Sequence, residues 1–146
     1  MKKIKIIIDK KALEEYTKYY FKKYPKRHVL PIKKPFPPSL NSFTAMTRFE
    51  QNSTKQKYKE FSVWLASYYK IANLNLKSIR MVFTFYFPNK IRRDFDNLML
   101  TPKFINDGFV DAGLIKDDNG DLLKIEFKNF HYDKKHPRLE IEILEE

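Results

Sequence analysis

Between Tyr24 and Phe43 the chain carries Pro25, Pro31, Pro35, Pro37 and Pro38, and a stretch interrupted this often cannot hold a regular helix. Each proline lacks a backbone N–H and fixes φ, so the segment is expected to run as an extended, partly ordered loop. Before it, Lys3 to Ile8 alternates in part and predicts a strand. Asp9 can then cap a helix from about Lys10 to Lys23. Residues 1–36 therefore read as a basic extension made of strand, helix and Pro-rich loop.

After the prolines the pattern becomes helical, then mixed. Tyr58, Phe61, Leu65, Tyr68 and Ile71/Ala72 recur three and four residues apart and predict a helix over Ser53 to Ala72, capped by Ser53 or Thr54. Its Trp64 is expected in the core or at a subunit interface. The β-branched and aromatic run Ile79 to Phe87 predicts a strand that Pro88-Asn89 ends. Thr101-Pro102 predicts a helix start, with the hydroxyl as N-cap, and Ala112-Gly113 predicts its stop. Leu122 to Tyr132 predicts a further strand. Leu139, Ile141 and Ile143 alternate with Glu140 and Glu142, as in a strand with one buried face. The expected fold is a single compact α+β domain spanning residues 1–146, with helices packed on a mixed β-sheet; 146 residues suffice for one core.

The charge is uneven. Of a net +11, all the excess lies in residues 1–60, where 16 Lys and Arg face 5 Asp and Glu; residues 61–146 are balanced at 13 and 13. A localised cationic excess with Tyr and Phe among the lysines suits a nucleic acid, because cations hold phosphates and rings stack on bases. A merely solvated basic surface is the alternative. Cysteine is absent, which excludes disulfides and thiolate metal sites and suits a reducing compartment. The short apolar run ending at Asp9 is no signal peptide, and no stretch is long enough to span a membrane, so a cytoplasmic protein is expected. His28, His131 and His136 are scattered and read as surface or structural residues.

The chemistry concentrates in Lys90-Ile91-Arg92-Arg93-Asp94-Phe95-Asp96-Asn97. In extended backbone Asp94 and Asp96 project together and Phe95 faces away. Two carboxylates about 4 Å apart repel by roughly 4 kcal/mol at an intermediate dielectric, which a divalent cation would neutralise. Oxygen-only ligands suit Mg²⁺, with Mn²⁺ as the alternative. Arginines beside the acids add phosphate-holding groups, the mixture that phosphodiester cleavage requires. A solvated turn with the aspartates paired to Arg92 and Arg93 is the plainer reading. A second acidic cluster, Asp117-Asp118-Asn119-Gly120-Asp121, has the composition of an ordinary turn.

These pieces, in order, resemble the RusA-type Holliday-junction resolvases of phages and prophages. The resemblance runs from about Pro37 to the C-terminus. It rests on Pro37-Pro38-Ser39-Leu40-Asn41, on Arg92-Arg93-Asp94-Phe95-Asp96-Asn97-Leu98, on Lys103, and on Ala112-Gly113 through Asp117-Asp118. It implies that Asp94, Asp96 and Asp118 bind a catalytic Mg²⁺, with Asp117 as a possible additional acid and Lys103 as the catalytic or phosphate-neutralising lysine. Arg92, Arg93, Asn97, Lys90 and Asn41 would contact DNA. It further implies a homodimer that resolves four-way junctions by paired symmetric cuts. The spacing from Asn97 to Lys103 is longer than the family pattern, as is the N-terminal extension. A DNA-binding recombination or regulatory protein without nuclease activity would keep the basic half and need no metal.

Overall fold

A computed structural model describes residues 3–116 and 122–146. The alternating Lys3–Ile8 forms β1, and Asp9 then caps α1 (Lys10–Lys23) by accepting from the Ala12 backbone N–H at 2.9 Å. The other oxygen of Asp9 lies 2.8 Å from His136 Nε2, which ties the start of α1 to the turn before the last strand. The proline-rich segment is irregular except for a short helix, α2 (Leu40–Thr44), capped by Ser39. Helix α3 (Arg48–Tyr68) begins five residues before the expected Ser53 and stops short of Ala72. Its cap is Thr47, in a reciprocal capping box with Glu50.

Strand β2 (Ile79–Phe87) follows, then a 3₁₀ turn (Phe95–Leu98) and α4 (Thr101–Asp111). Leu100, not Thr101, occupies the N-cap of α4, and no side chain caps it. Thr101 instead sits inside the first turn with its hydroxyl fully buried. Proline at the second helical position tolerates this, because its missing N–H would have had no intrahelical partner. Gly113, at φ 77°, ends the helix as expected. The expected strand over Leu122 to Tyr132 is broken into β3 (Leu123–Phe127) and β4 (His131–Tyr132), and Arg138–Glu145 forms β5.

The sheet has the order β1-β5-β2-β3, with β4 also on β2. β5 is antiparallel to both β1 and β2, whereas β3 and β4 run parallel to β2, so the sheet is mixed. The register against β2 advances by one residue between β3 and β4, since Phe83 pairs with Phe127 but Tyr86 with His131. This extra residue is a bulge in the edge of the sheet, and Phe130 lies within it.

One face of the sheet is the core. Ile6, Ile8, Met81, Phe83, Phe85, Leu139, Ile141 and Ile143 lie on it and are essentially inaccessible. Helices α1, α3 and α4 supply Tyr16, Phe61, Leu65, Ile105 and Phe109 to the same cluster. Trp64 is half-buried in an aromatic ladder, 5.2 Å from Tyr16 and 4.7 Å from Tyr68. Helices α3 and α4 approach very closely at Gly108, where a Cβ would lie 2.4 Å from Ser62 Cβ and 2.6 Å from the Lys59 carbonyl oxygen.

The opposite face is a charged ladder. Lys3 pairs with Glu142 at 2.9 Å, Lys5 with Glu140 at 3.0 Å, and Arg138 with Glu140 at 2.6 Å and Asp133 at 3.0 Å, its guanidinium stacked 3.6 Å over Tyr86. Burial of Glu140 alone would raise its pKa. Hydrogen bonds from Arg138 and Lys5 outweigh that and hold the carboxyl below its ordinary 4.5. The outer edge of β1 is closed by Tyr69, whose hydroxyl accepts from the Ile7 N–H and donates to the Ile7 carbonyl, both at 3.0 Å. An edge blocked in this way is a poor template for strand addition.

Two stability predictions follow from this packing. Gly108→Ala should destabilise the chain by about 2 kcal/mol or more, read as a lower urea midpoint at unchanged slope, because the Lys59 carbonyl is helix backbone and Ser62 Cβ is bonded directly to it, so neither can step aside. Glu140 has a lower pKa folded than unfolded, so it contributes stability that is present above pH 4.5 and lost as pH falls through the folded value. Glu140→Gln should therefore lower stability at neutral pH by about 1–3 kcal/mol and flatten the loss on acidification. Equal acid sensitivity in both proteins would refute this role.

Candidate functional site

The acidic stretch sits just beyond the C-terminal end of β2, the usual place for a site in a sheet with parallel strands. Its backbone differs from the extended form expected. Asp94 is extended, at φ −112° and ψ 142°, but Phe95–Leu98 winds into the 3₁₀ turn and Asp96 lies in its first turn. The two aspartates therefore do not share a face by strand alternation. Both nonetheless line one shallow cavity of about 500 Å³, together with Leu40, Asn41, Phe95 and Asn97.

Two anchors hold this turn. The Phe95 ring lies 4.4 Å from Phe130 and 5.9 Å from Phe127, so the bulge between β3 and β4 receives it. The Asn97 side-chain oxygen accepts from the Asn41 backbone N–H at 2.9 Å, joining the turn to the start of α2. Phe36, just upstream, packs 4.8 Å from Phe87 and brings the proline-rich segment to the end of β2. Thus Asn41 and Asn97, far apart in sequence, meet beside the carboxylates.

The basic residues divide by role. Arg93 is drawn into its own loop, donating to the carbonyl oxygens of Asn89 and Ile91 and to the Asn89 side chain, with its guanidinium 3.9 Å over the Phe87 ring. Arg93 therefore braces the loop that presents the acids. Arg92 is almost fully exposed and only 3.9 Å from Asp94 at closest, a loose pair screened by solvent. Lys90 is exposed, 5.8 Å over the Tyr132 ring. Lys103 is exposed on the first turn of α4 and lines a separate small cavity with Phe43, Lys55 and Asp107. The structure thus brings Asp94, Asp96, Asn41 and Asn97 together and places Lys103 on a neighbouring surface.

Asp117 and Asp118 lie outside the described residues. Among the described residues, no three His, Cys, Asp or Glu side chains converge as a metal-binding group. The donors at the cavity nonetheless fit a hard divalent cation. Asp94 makes no capping bond, its side chain is 68% exposed, and Arg92 at 3.9 Å is its one ion-pair partner among the described residues, which leaves oxygen donors for a ligand. No helix among the described residues is long and apolar enough to cross a membrane.

Asn41 was expected at the site, but the short helix α2 that presents it and the bulge at Phe130 were not. A signal existed for each. Ser39 precedes a short run that it can cap, and an aromatic outside the strand alternation, Phe130, marks the bulge.

Asn97→Ala should remove the tie to Asn41 at a stability loss of about 1 kcal/mol, with faster amide exchange at Asn41 as the local readout. Unchanged exchange at Asn41 would refute the anchoring role. No protein-family model matches this sequence, and no curated protein matches it significantly.

Proposed function

We propose that this chain is a metal-dependent endodeoxyribonuclease acting on branched DNA, a Holliday-junction resolvase of the RusA type. The observation that carries the reading is the opening of Asp94 and Asp96 onto one exposed cavity, beside the exposed cation of Arg92. The cavity is shallow and accessible, as a site for a phosphodiester backbone must be. The chain's excess of positive charge supplies a partner surface for the rest of the duplex arms.

In this reading Asp94, Asp96 and Asp118 hold Mg²⁺ or Mn²⁺, and Asp117 is an additional acid. When bound, the ion supplies charge neutralisation and Lewis-acid polarisation of the phosphate. Arg92 and Lys90 hold flanking phosphates, and Lys103 neutralises charge as the phosphodiester is attacked. Arg93 acts through the loop it braces, and Asn97 through its hold on Asn41. Water adds to phosphorus as the bond to the 3′ oxygen breaks, leaving 5′-phosphate and 3′-hydroxyl ends. A homodimer would align two such sites on opposed strands of a four-way junction. A phage or prophage origin and a cytoplasmic place of action belong to the same proposal.

A second reading, branched-DNA binding without cleavage, is favoured by one observation: Lys103 lines a different cavity from the two aspartates. A single assay separates the two. The wild type should introduce paired nicks in a mobile four-way junction with Mg²⁺, none with EDTA, and few in a matched linear duplex. Asp94→Asn should cut at least about 100-fold more slowly while keeping or improving junction affinity, because carboxylate repulsion of phosphate is relieved. Tight, salt-sensitive binding with no cleavage in Mg²⁺ or Mn²⁺ would favour the second reading.

A further inference from the structure

Apart from the acidic cavity, and sharing no lining residue with it, lies an apolar groove of about 600 Å³ that no element among the described residues fills. One wall is a stripe of α1 in which Lys10, Leu13, Glu14, Thr17 and Lys18 recur at helical spacing. The other wall is the segment from Leu30 to Pro35. Its floor is the buried pair Leu13 and Ile32, and Leu30 stands at its lip with 48% of its surface exposed. The size falls within the range of about 300–1,000 Å³ common to small-ligand clefts.

The rim is cationic. Lys10, Lys18 and Lys33 line the groove with Glu14 as the one lining carboxylate among the described residues, within a region that carries the whole net charge of the chain. Lys18 also reaches Glu15 at 3.4 Å, an exposed pair that solvent screens and that an incoming carboxylate can replace. An occupant must therefore combine apolar groups for the floor with negative charge for the rim. Nucleic acid meets only half of this. It offers phosphates to the lysines, but bases need aromatic platforms, and no ring lines this groove. A second copy docked groove to groove would set lysine against lysine. We propose that this groove is a docking site for an acidic peptide segment of a partner protein, with apolar side chains seated on Leu13, Leu30 and Ile32 and carboxylates paired to Lys10, Lys18 and Lys33.

This site is independent of the nuclease reading and would serve to recruit the chain to a partner. The probe is a fluorescein-labelled octapeptide rich in Asp and Glu with two leucines, titrated with the full chain at physiological salt and followed by anisotropy. Saturable binding is expected, with amide shifts at Leu13, Thr17 and Ile32 and none at Asn97. Replacing the peptide's leucines by serine should weaken binding about tenfold or more, as should Leu30→Asp or the double change Lys18→Glu and Lys33→Glu in the protein. These changes lie on exposed side chains, and unchanged circular-dichroism melting would show that the variants are folded. No binding at all would overturn the proposal. Equal affinity for the serine peptide, or equal affinity of the variants, would reduce it to general attraction by a basic surface. Single-stranded DNA shifting the same amides would assign the groove to nucleic acid, and dimerisation abolished by Leu30→Asp would assign it to a second copy.

Discussion

Parallel strands cannot be joined by a hairpin, and the parallel pairing of β2 with β3 sets the layout of the molecule. The chain leaving β2 must travel back along the sheet before β3 can begin, and that crossover consists of the loop from Pro88 to Asp94, the 3₁₀ turn and α4. The acidic stretch is the first part of the crossover, so it is held at one end of the sheet by a strand that is itself flanked on both sides. Helix α4 pins the return by packing against α3, closely enough that only Gly108 fits the contact. The fold therefore delivers the candidate site as a consequence of its connectivity.

A turn presented by such a loop would be mobile without further support, and the support is aromatic. Phe87 receives Arg93 on one face of the loop, and Phe130 receives Phe95 on the other. Phe130 is available because the edge of the sheet contains the bulge, so an irregularity in one strand stabilises a turn from another. Polar ties then set the finer placement, as Asn97 holds the start of α2 through the Asn41 N–H. Ring contacts hold the turn, with only Phe87 fully buried, and the side-chain amide contributes direction.

Elements with an apolar period or a side-chain cap could be read from the sequence; those governed by contacts between distant segments could not. β1, α1, β2 and β5 follow from alternation, from Asp9 and from the stop at Pro88. The start of α3 escaped because Arg48 to Asn52 are mostly exposed and show no apolar spacing, although Thr47 and Glu50 form a capping box. Thr101 has a capping residue's chemistry, yet its burial places it inside the helix. Asp94 and Asp96 were identifiable as a pair, but their geometry was not, since Asp-x-Asp is compatible with both a strand and a 3₁₀ turn. The separation of Lys103 from the acidic cavity, and the recruitment of Arg93 by its own loop, depend on how α4 and β2 are set in space. No local pattern encodes that.

Charge pairing across the sheet also explains where the chain can meet a partner. The open face carries as many carboxylates as it needs to occupy Lys3, Lys5 and Arg138, so its cations are largely engaged within the protein. Among the described residues, α1 carries only two exposed pairs, Lys18 with Glu15 at 3.4 Å and Lys23 with Glu60 at 3.5 Å, so the other lysines of α1 and the proline-rich segment define the side of the molecule with cationic reach. The proline-rich segment links the groove to the acidic cavity: Leu30 to Pro35 wall the apolar groove, Phe36 anchors on Phe87, and Asn41 meets Asn97 at the acidic cavity. Its prolines restrict φ in the unfolded chain as well as in the folded one, which lowers the entropy lost when the segment is ordered. A stretch with little regular secondary structure can thereby hold defined positions at both ends, and its irregularity serves the placement of two surfaces that a continuous helix would separate.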